Sequence, residues 1–368
     1  MLKRLFKKLK KIEQKEIVNN YKEPSIFKDF EFAVFSGEVG ENAFSHINIW
    51  YKEFEKSNMN FLILLSNEEA LLMLKASYPL ANFILLDNKS KIDDFFTRYT
   101  TLKAIFYISN TGNIANFLYQ THLKHIFIGH GDSDKSSSAH KFFRVYDEIW
   151  VAGDAHIDRI KNARFNLNGL EFKKVGQPAM LEILEKKAII KDKKLLYLPT
   201  WEGLYFEQDY SSLAHIQDII SCIDFKISIK LHPFTGKKIK EYKDLEEKIQ
   251  NANVIDRKIK LSDVINDYNY FICDISSVIT SVLALDCPIF LYMPKDKVIK
   301  IAKSNMHYCE YCYVFSNLEE FKIVFRRVVN GDDYLKTNRQ RAIEYILNIK
   351  DTLNNTFIKE LHNLKDIK

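Results

Sequence analysis

Thirteen short apolar runs, most of them apolar on both faces and nearly all separated by helix-length segments, constrain this chain more than any other feature. EFAVFSG (31–37), NFLILLS (60–66), NFILLD (82–87), KAIFYIS (103–109), HIFIG (125–129), EIWVAG (148–153) and FKKVG (172–176) form a first series. KLLYLP (194–199), FKISIK (225–230), NVID (253–256), YNYFIC (268–273), PIFLYM (288–293) and YVFS (313–316) form a second. Strands apolar on both faces belong to parallel sheets covered by helices. The polar connection 177–194 divides the series, so the chain is expected to form two Rossmann-like α/β domains facing a central cleft, 21–185 and 186–368, with helices from about Asp332 onward. Its 368 residues suit two cores.

Charge narrows the function. The net charge is +6. Residues 1–15 hold Lys3, Arg4, Lys7, Lys8, Lys10, Lys11 and Lys15 against Glu13, seven minus one, so the rest is formally neutral. A general nucleic-acid binder is excluded; the basic character sits at one end. There Leu2, Leu5, Phe6, Leu9 and Ile12 recur at helical spacing, with lysines opposite. Such a helix over 1–20 suits an anionic membrane surface, the alternative being a solvated helix packed on its own domain. No apolar run spans a bilayer, and no apolar core follows the basic residues as in a secretory signal. The five cysteines form no disulfide framework, which points to a reducing, cytoplasmic setting.

In open α/β sheets ligands bind beyond the carboxyl ends of the strands. Four unusual polar loops fall there. KHIFIGHGDSDKSSSAH puts His130 between Gly129 and Gly131, followed by Asp132 and Asp134. KLLYLPTWEG puts Thr200 and Trp201 after a strand. FKISIKLHPFTG ends in Lys230 and His232, two residues apart and so on one strand face. YNYFICDISS places Asp274 at a strand end and Ser276 and Ser277 at a helix start. The two serines suit a phosphate, or simply cap the helix. His130 is the candidate base, since histidine titrates near neutrality. His130 and His232, one in each domain, can converge on one ligand.

These motifs resemble the CDP-glycerol glycerophosphotransferases of teichoic-acid and capsule synthesis. That family typically carries a strand-end HG, a PTW, an LHP and a D-x-SS in that order, here His130-Gly131, Pro199-Thr200-Trp201, Leu231-His232-Pro233 and Asp274-Ile275-Ser276-Ser277. Gly176-Gln177-Pro178 matches a G-x-P, and the likeness spans about residues 124–292. The resemblance implies a GT-B fold and attachment to the cytoplasmic membrane face. Where the family has Thr-Pro after HG, this chain has Asp132-Ser133, giving a D-x-D with Asp134 that either meets acceptor hydroxyls or a divalent ion, or caps a helix. The loop SGEVGENAF (36–44) either shapes an acceptor site or is a plain turn.

The expected activity is transfer of a polyol phosphate, glycerol phosphate above others, from a CDP-linked donor to a hydroxyl of a cell-surface glycan or lipid-linked acceptor, releasing CMP. His130 would take the acceptor proton. Lys230, His232, Thr200, Asp274, Ser276 and Ser277 would bind the donor pyrophosphate. No cofactor is required by this reading, and a divalent cation such as Mg²⁺ is left open. The protein is expected to be cytoplasmic, on the inner face of the membrane. The alternatives are a GT-B glycosyltransferase using a nucleotide sugar in capsule or lipooligosaccharide synthesis, and a non-catalytic membrane-bound assembly factor. A single Cys309-x-x-Cys312 is too small a set for structural zinc.

Overall fold

The computed structural model describes residues 23–24, 29–131, 138–187, 189–203, 205 and 209–365. The basic segment 1–15 and the pair Asp132 and Asp134 lie outside the described residues.

All thirteen apolar runs are strands, in two sheets. The first contains β1 (Phe32–Ser36), β2 (Phe61–Leu65), β3 (Phe83–Leu85), β4 (Ala104–Tyr107), β5 (Lys124–Phe127), β6 (Glu148–Val151) and β7 (Glu171–Lys174). Its order is β3-β2-β1-β4-β5-β6-β7. The second contains β8 (Leu195–Leu198), β9 (Ile227–Ile229), β10 (Asn253–Val254), β11 (Tyr270–Asp274), β12 (Ile289–Tyr292) and β13 (Tyr313–Phe315), ordered β10-β9-β8-β11-β12-β13. Every pairing is parallel. Both sheets reverse direction of strand order beside their first strand, between β1 and β4 and between β8 and β11, where loops part and a crevice opens.

The strands read as continuous apolar runs because both faces are covered. Val34, Ile63 and Phe106 enter one core cluster, while Ala33, Phe35, Leu62 and Ile105 enter the cluster behind the sheet. In the second sheet Leu196, Phe271 and Leu291 lie on one side, and Tyr197, Ile272 and Phe290 on the other. This is the two-residue alternation of a strand with no solvent face. Helix starts follow the same economy. Asn67, Asn88 and Asn317 each accept the backbone N–H three residues on, at 2.9, 3.0 and 2.9 Å, so the chain turns from strand to helix within a few residues.

The connection between the sheets runs from 175 to 194, across the expected boundary near 185. The C-terminal helices do not all stay with the second domain, as the sequence division had them. The helix Thr356–Lys365 crosses back and buries Phe357, Leu361 and Leu364 in the first domain's core. Phe357 packs on Trp50, Phe54 and Trp150 with ring centroids 4.9, 5.2 and 5.6 Å away. Lys173 of β7 bonds Glu360 at 2.9 Å. The reason is apolar demand: that helix carries its own buried stripe, and the first domain offers three aromatic rings, Trp50 and Phe54 of the helix Gly40–Lys56 and Trp150 of β6. Gly176 (φ +75°) and Gly153 let the last segments approach closely, since a Cβ would fall 2.3 Å from Thr352 Oγ1 and 2.5 Å from the Tyr345 carbonyl oxygen. No helix among the described residues is long and apolar enough to cross a membrane.

Because Phe357 fills a first-domain site, Phe357→Ala should destabilise by about 3–5 kcal/mol. The loss should appear in the first domain's unfolding transition. Hydrogen exchange localises it: faster exchange in β1, β4 and β6 is expected, with β8–β13 nearly unchanged.

Candidate active site

Register brings the second-domain motifs level. Tyr197 pairs with Ile229, and Leu198 with Cys273, so β8, β9 and β11 end together. Thr200, Lys230, His232, Ser276 and Ser277 therefore leave the sheet at its switch point and line one cavity of about 1030 Å³. Its opposite wall is the first-domain helix Gly40–Lys56, through Phe44, Ser45, Asn48, Ile49, Lys52, Glu53 and Lys56. The inter-domain segment from Pro178 to Lys186 and the loop 257–262 close the ends.

The cavity is cationic. Lys52, Lys56, Lys186, Lys230, Arg257, Lys258 and Lys260 line it against Glu53, Glu182 and Glu185, seven basic groups to three acidic. Lys56 pairs with Glu53 at 2.7 Å, and Lys186 with Asp263 at 3.2 Å. Lys52, Lys258 and Lys260 form no ion pair with any described residue. Lys230 is nearly buried; burial lowers its pKa, opposed by Asp256 and Glu246. Its Nζ donates to the Arg257 carbonyl at 3.0 Å. Among the described residues no cluster of His, Cys, Asp and Glu is arranged to hold a metal ion.

The two histidines are held as opposite tautomers. The Phe234 N–H donates to His232 Nδ1 at 3.1 Å, so that nitrogen carries the lone pair and Nε2 the proton. The ring N–H of His232 is thus at Nε2, with Trp201 and Phe234 around the ring. His130 is reversed. Its Nδ1 lies 3.0 Å from the Ile108 carbonyl, which can only accept, so Nδ1 carries the proton and Nε2 the lone pair. Gly129 reaches this turn with φ +64°, in the left-handed region where glycine is favoured. Its carbonyl accepts from buried Trp50 Nε1 at 2.7 Å. His130 is exposed and stands outside the cavity lining, against the helix Gly40–Lys56, so the two histidines do not share one lining.

Asp274 is not on the cavity surface. It is completely buried, accepting from the N–H of Thr200 at 2.8 Å and of Ser212 at 3.0 Å, and from Ser212 Oγ at 2.6 Å. It positions the Thr200 loop and does not itself line the cavity. Burial raises its pKa to about 7, against the pull of those hydrogen bonds. Ser276 is nearly buried and Ser277 exposed. Ser277 sits at the N-cap of Val278–Leu283 without a side-chain capping bond, so capping does not occupy its hydroxyl.

One residue that the sequence reading passed over is Glu202, next to the PTW. It is fully buried and accepts the N–H groups of Gly236, Lys238 and Ile239 at 3.1, 2.9 and 3.1 Å. It ties the loop after His232 to the loop of Thr200. Its signal was present only as an acid beside a motif. In the first domain, Gly37 of the 36–44 loop packs so tightly on Thr111 and Asn113 that a Cβ there would overlap both. The start of that stretch is packed closed at the β1/β4 switch point, while Phe44 at its end lines the cavity. The Cys309-x-x-Cys312 pair divides, Cys309 exposed and Cys312 buried, while His307 and Glu310 form a capping box.

Two outcomes follow. Asp274 takes up a proton on folding between its ordinary pKa of 3.8 and about 7. Its contribution is full below the lower value and is lost as pH rises through the higher, by roughly 4 kcal/mol. In Asp274→Asn, whose amide can donate to Ser212, that fall in denaturant midpoint between about pH 4 and 7 should vanish. Glu202→Gln leaves one acceptor for three N–H groups and should cost about 2–3 kcal/mol in the same titration.

The sequence of residues 51–311 matches the family model of CDP-glycerol:poly(glycerophosphate) glycerophosphotransferase. No curated protein matches the chain by direct sequence comparison. Among solved structures, the wall teichoic acid polymerase TagF aligns over 100% of this chain and 98% of its own, with TM-score 0.60 at 12% identity. A TagF variant soaked with CDPG aligns over 93% and 90%, TM-score 0.58, at 11% identity. The UDP-GlcNAc 2-epimerase from Neisseria meningitidis bound to UDP-GlcNAc aligns over 89% and 98%, TM-score 0.60, at 13% identity. These identities speak for the fold: two parallel-sheet domains in the GT-B manner. The family match covers most of the chain, including the second-domain wall of the cavity, and the protein is therefore a transferase belonging to the CDP-glycerol:poly(glycerophosphate) glycerophosphotransferase family.

Proposed function

We propose that this protein transfers glycerol phosphate from CDP-glycerol to a hydroxyl of a cell-surface glycan or lipid-linked acceptor, releasing CMP. The observation that carries the reading is the cationic cavity at the second switch point, with the three motif loops around it. A nucleoside diphosphate brings two negative charges to a place lined by Lys230, the His232 Nε2–H and the hydroxyls of Thr200, Ser276 and Ser277. Each can donate to phosphate oxygens.

In the reaction, the acceptor oxygen attacks the phosphorus bearing glycerol while its proton passes to His130 Nε2. The bond from that phosphorus to the bridging oxygen breaks, and the electron pair leaves on CMP. Charge grows on the leaving phosphate, where His232, Lys230 and the hydroxyls stand. Phosphoryl transfer relies on such placement more than on covalent chemistry. His130 acts from the first-domain side, so the acceptor enters between the helix Gly40–Lys56 and the strand end of β5. The basic segment 1–15 is proposed to hold the protein on the inner, anionic membrane face, close to a lipid-linked acceptor.

The first test is thermal stabilisation by CDP-glycerol, CDP-ribitol, UDP-sugars and NAD. At 100 times its dissociation constant the true donor adds about 2.7 kcal/mol. CDP-glycerol should stabilise the wild type, and His232→Ala and the Ser276→Ala/Ser277→Ala pair should lose most of it. A response to UDP-sugars in place of CDP-polyols would replace this reading with nucleotide-sugar transfer. For the base, His130→Ala should lower CMP release with a short poly(glycerophosphate) acceptor about 10²–10⁴-fold and leave CDP-glycerol stabilisation unchanged. Wild-type turnover in that variant would remove His130 from the mechanism.

A further inference from the structure

His46 lies face to face with His130. The ring centroids are 3.6 Å apart and the planes 5° from parallel. We propose that His46 is a positioning residue, a neutral aromatic platform that fixes the plane of the His130 ring and so aims its Nε2 lone pair; the inference rests on His130 serving as the base.

A ring at an exposed strand end has two rotations to lose. The hydrogen bond from His130 Nδ1 to the Ile108 carbonyl sets one direction in the ring plane but permits rocking about that bond. The flat face of His46 removes the rocking. Trp50, one turn further along the same helix, bonds the Gly129 carbonyl and fixes the backbone beneath. Two side chains four residues apart on one rigid helix therefore define both the turn and the ring that it carries.

The helix also explains why the platform faces the cavity's edge. At 3.6 residues per turn, Ala43, Ile47, Trp50 and Phe54 form the buried stripe, and Ser45, Ile49, Lys52 and Lys56 the cavity stripe. His46 falls between them. Burial, and secondarily the nearness of His130, hold its pKa down at about 3, so it stays uncharged while His130 gains and returns a proton. A second cation stacked at this distance would oppose that protonation; a neutral π face favours it. The His46 Nδ1 has no hydrogen-bond partner among the described residues, consistent with a role for the ring face and not for its nitrogen.

The test compares His46→Leu, His46→Phe, His130→Ala and the His46→Leu/His130→Ala double variant. CMP release is followed with CDP-glycerol and the poly(glycerophosphate) acceptor. His46→Leu should lower kcat about 10- to 100-fold with KM for CDP-glycerol unchanged, as a misaimed base does. His46→Phe should restore most of that loss, since it keeps the flat face. In the double variant, the leucine should add nothing to the loss caused by His130→Ala. Long-range ¹H–¹⁵N spectra of histidine-labelled protein give a readout apart from turnover. The Nδ1–H signature of His130 should persist in His46→Phe and average between tautomers in His46→Leu. Full turnover and an unaltered His130 signature in a folded His46→Leu, or a loss in His46→Phe as large as in the leucine variant, would overturn the platform. Undiminished turnover in His130→Ala would instead overturn the base on which it rests.

Discussion

The buried carboxylate of Asp274 is the interaction on which the site depends. It ends β11 at the switch point, where neighbouring loops diverge and the ladder can no longer satisfy their N–H groups. Asp274 takes up those of Thr200 and Ser212, and with them the geometry of the Thr200 loop. Glu202 repeats the device one loop away by binding the turn that follows His232. A carboxylate is suited to this because it offers several acceptor positions without a backbone of its own to satisfy. The second-domain groups left lining the cavity are then mostly donors: hydroxyls, an imidazole N–H and basic side chains.

The helix Gly40–Lys56 carries the same logic across the domains. One of its faces enters the first core through Trp50 and Phe54, a second walls the cavity with Lys52 and Lys56, and its edge meets His130. The last helix, Thr356–Lys365, packs behind it on Trp50 and Phe54. A chain that began its second domain near 185 thus returns to brace the first, and the His130 side of the site is supported by helices 40–56 and 356–365.

Much of this was legible beforehand because it depends on local pattern. The strands announced themselves as runs apolar on both faces, and His130, Thr200, Lys230, His232 and the serines lay just past their ends. Asp274 was found, but as a donor-binding group, because a strand-end acid looks the same whether it turns outward or inward. Glu202 and His46 left no signal. An acid beside tryptophan and a histidine one turn into an amphipathic helix are ordinary until their partners, more than 30 and 80 residues away, are brought near.

By itself, then, the sequence determined the two parallel sheets, their division and the loops that carry polar chemistry, since periodicity and strand ends are properties of neighbouring residues. The tertiary structure alone decided which nitrogen of each histidine holds its proton, which carboxylates turn inward, and where the final helix rests. Those are set by contacts between distant segments: a carbonyl just past β4, a backbone N–H from the loop after β9, three aromatic rings on the first domain. No local pattern encodes such contacts, because their energy exists only once the chain has closed on itself.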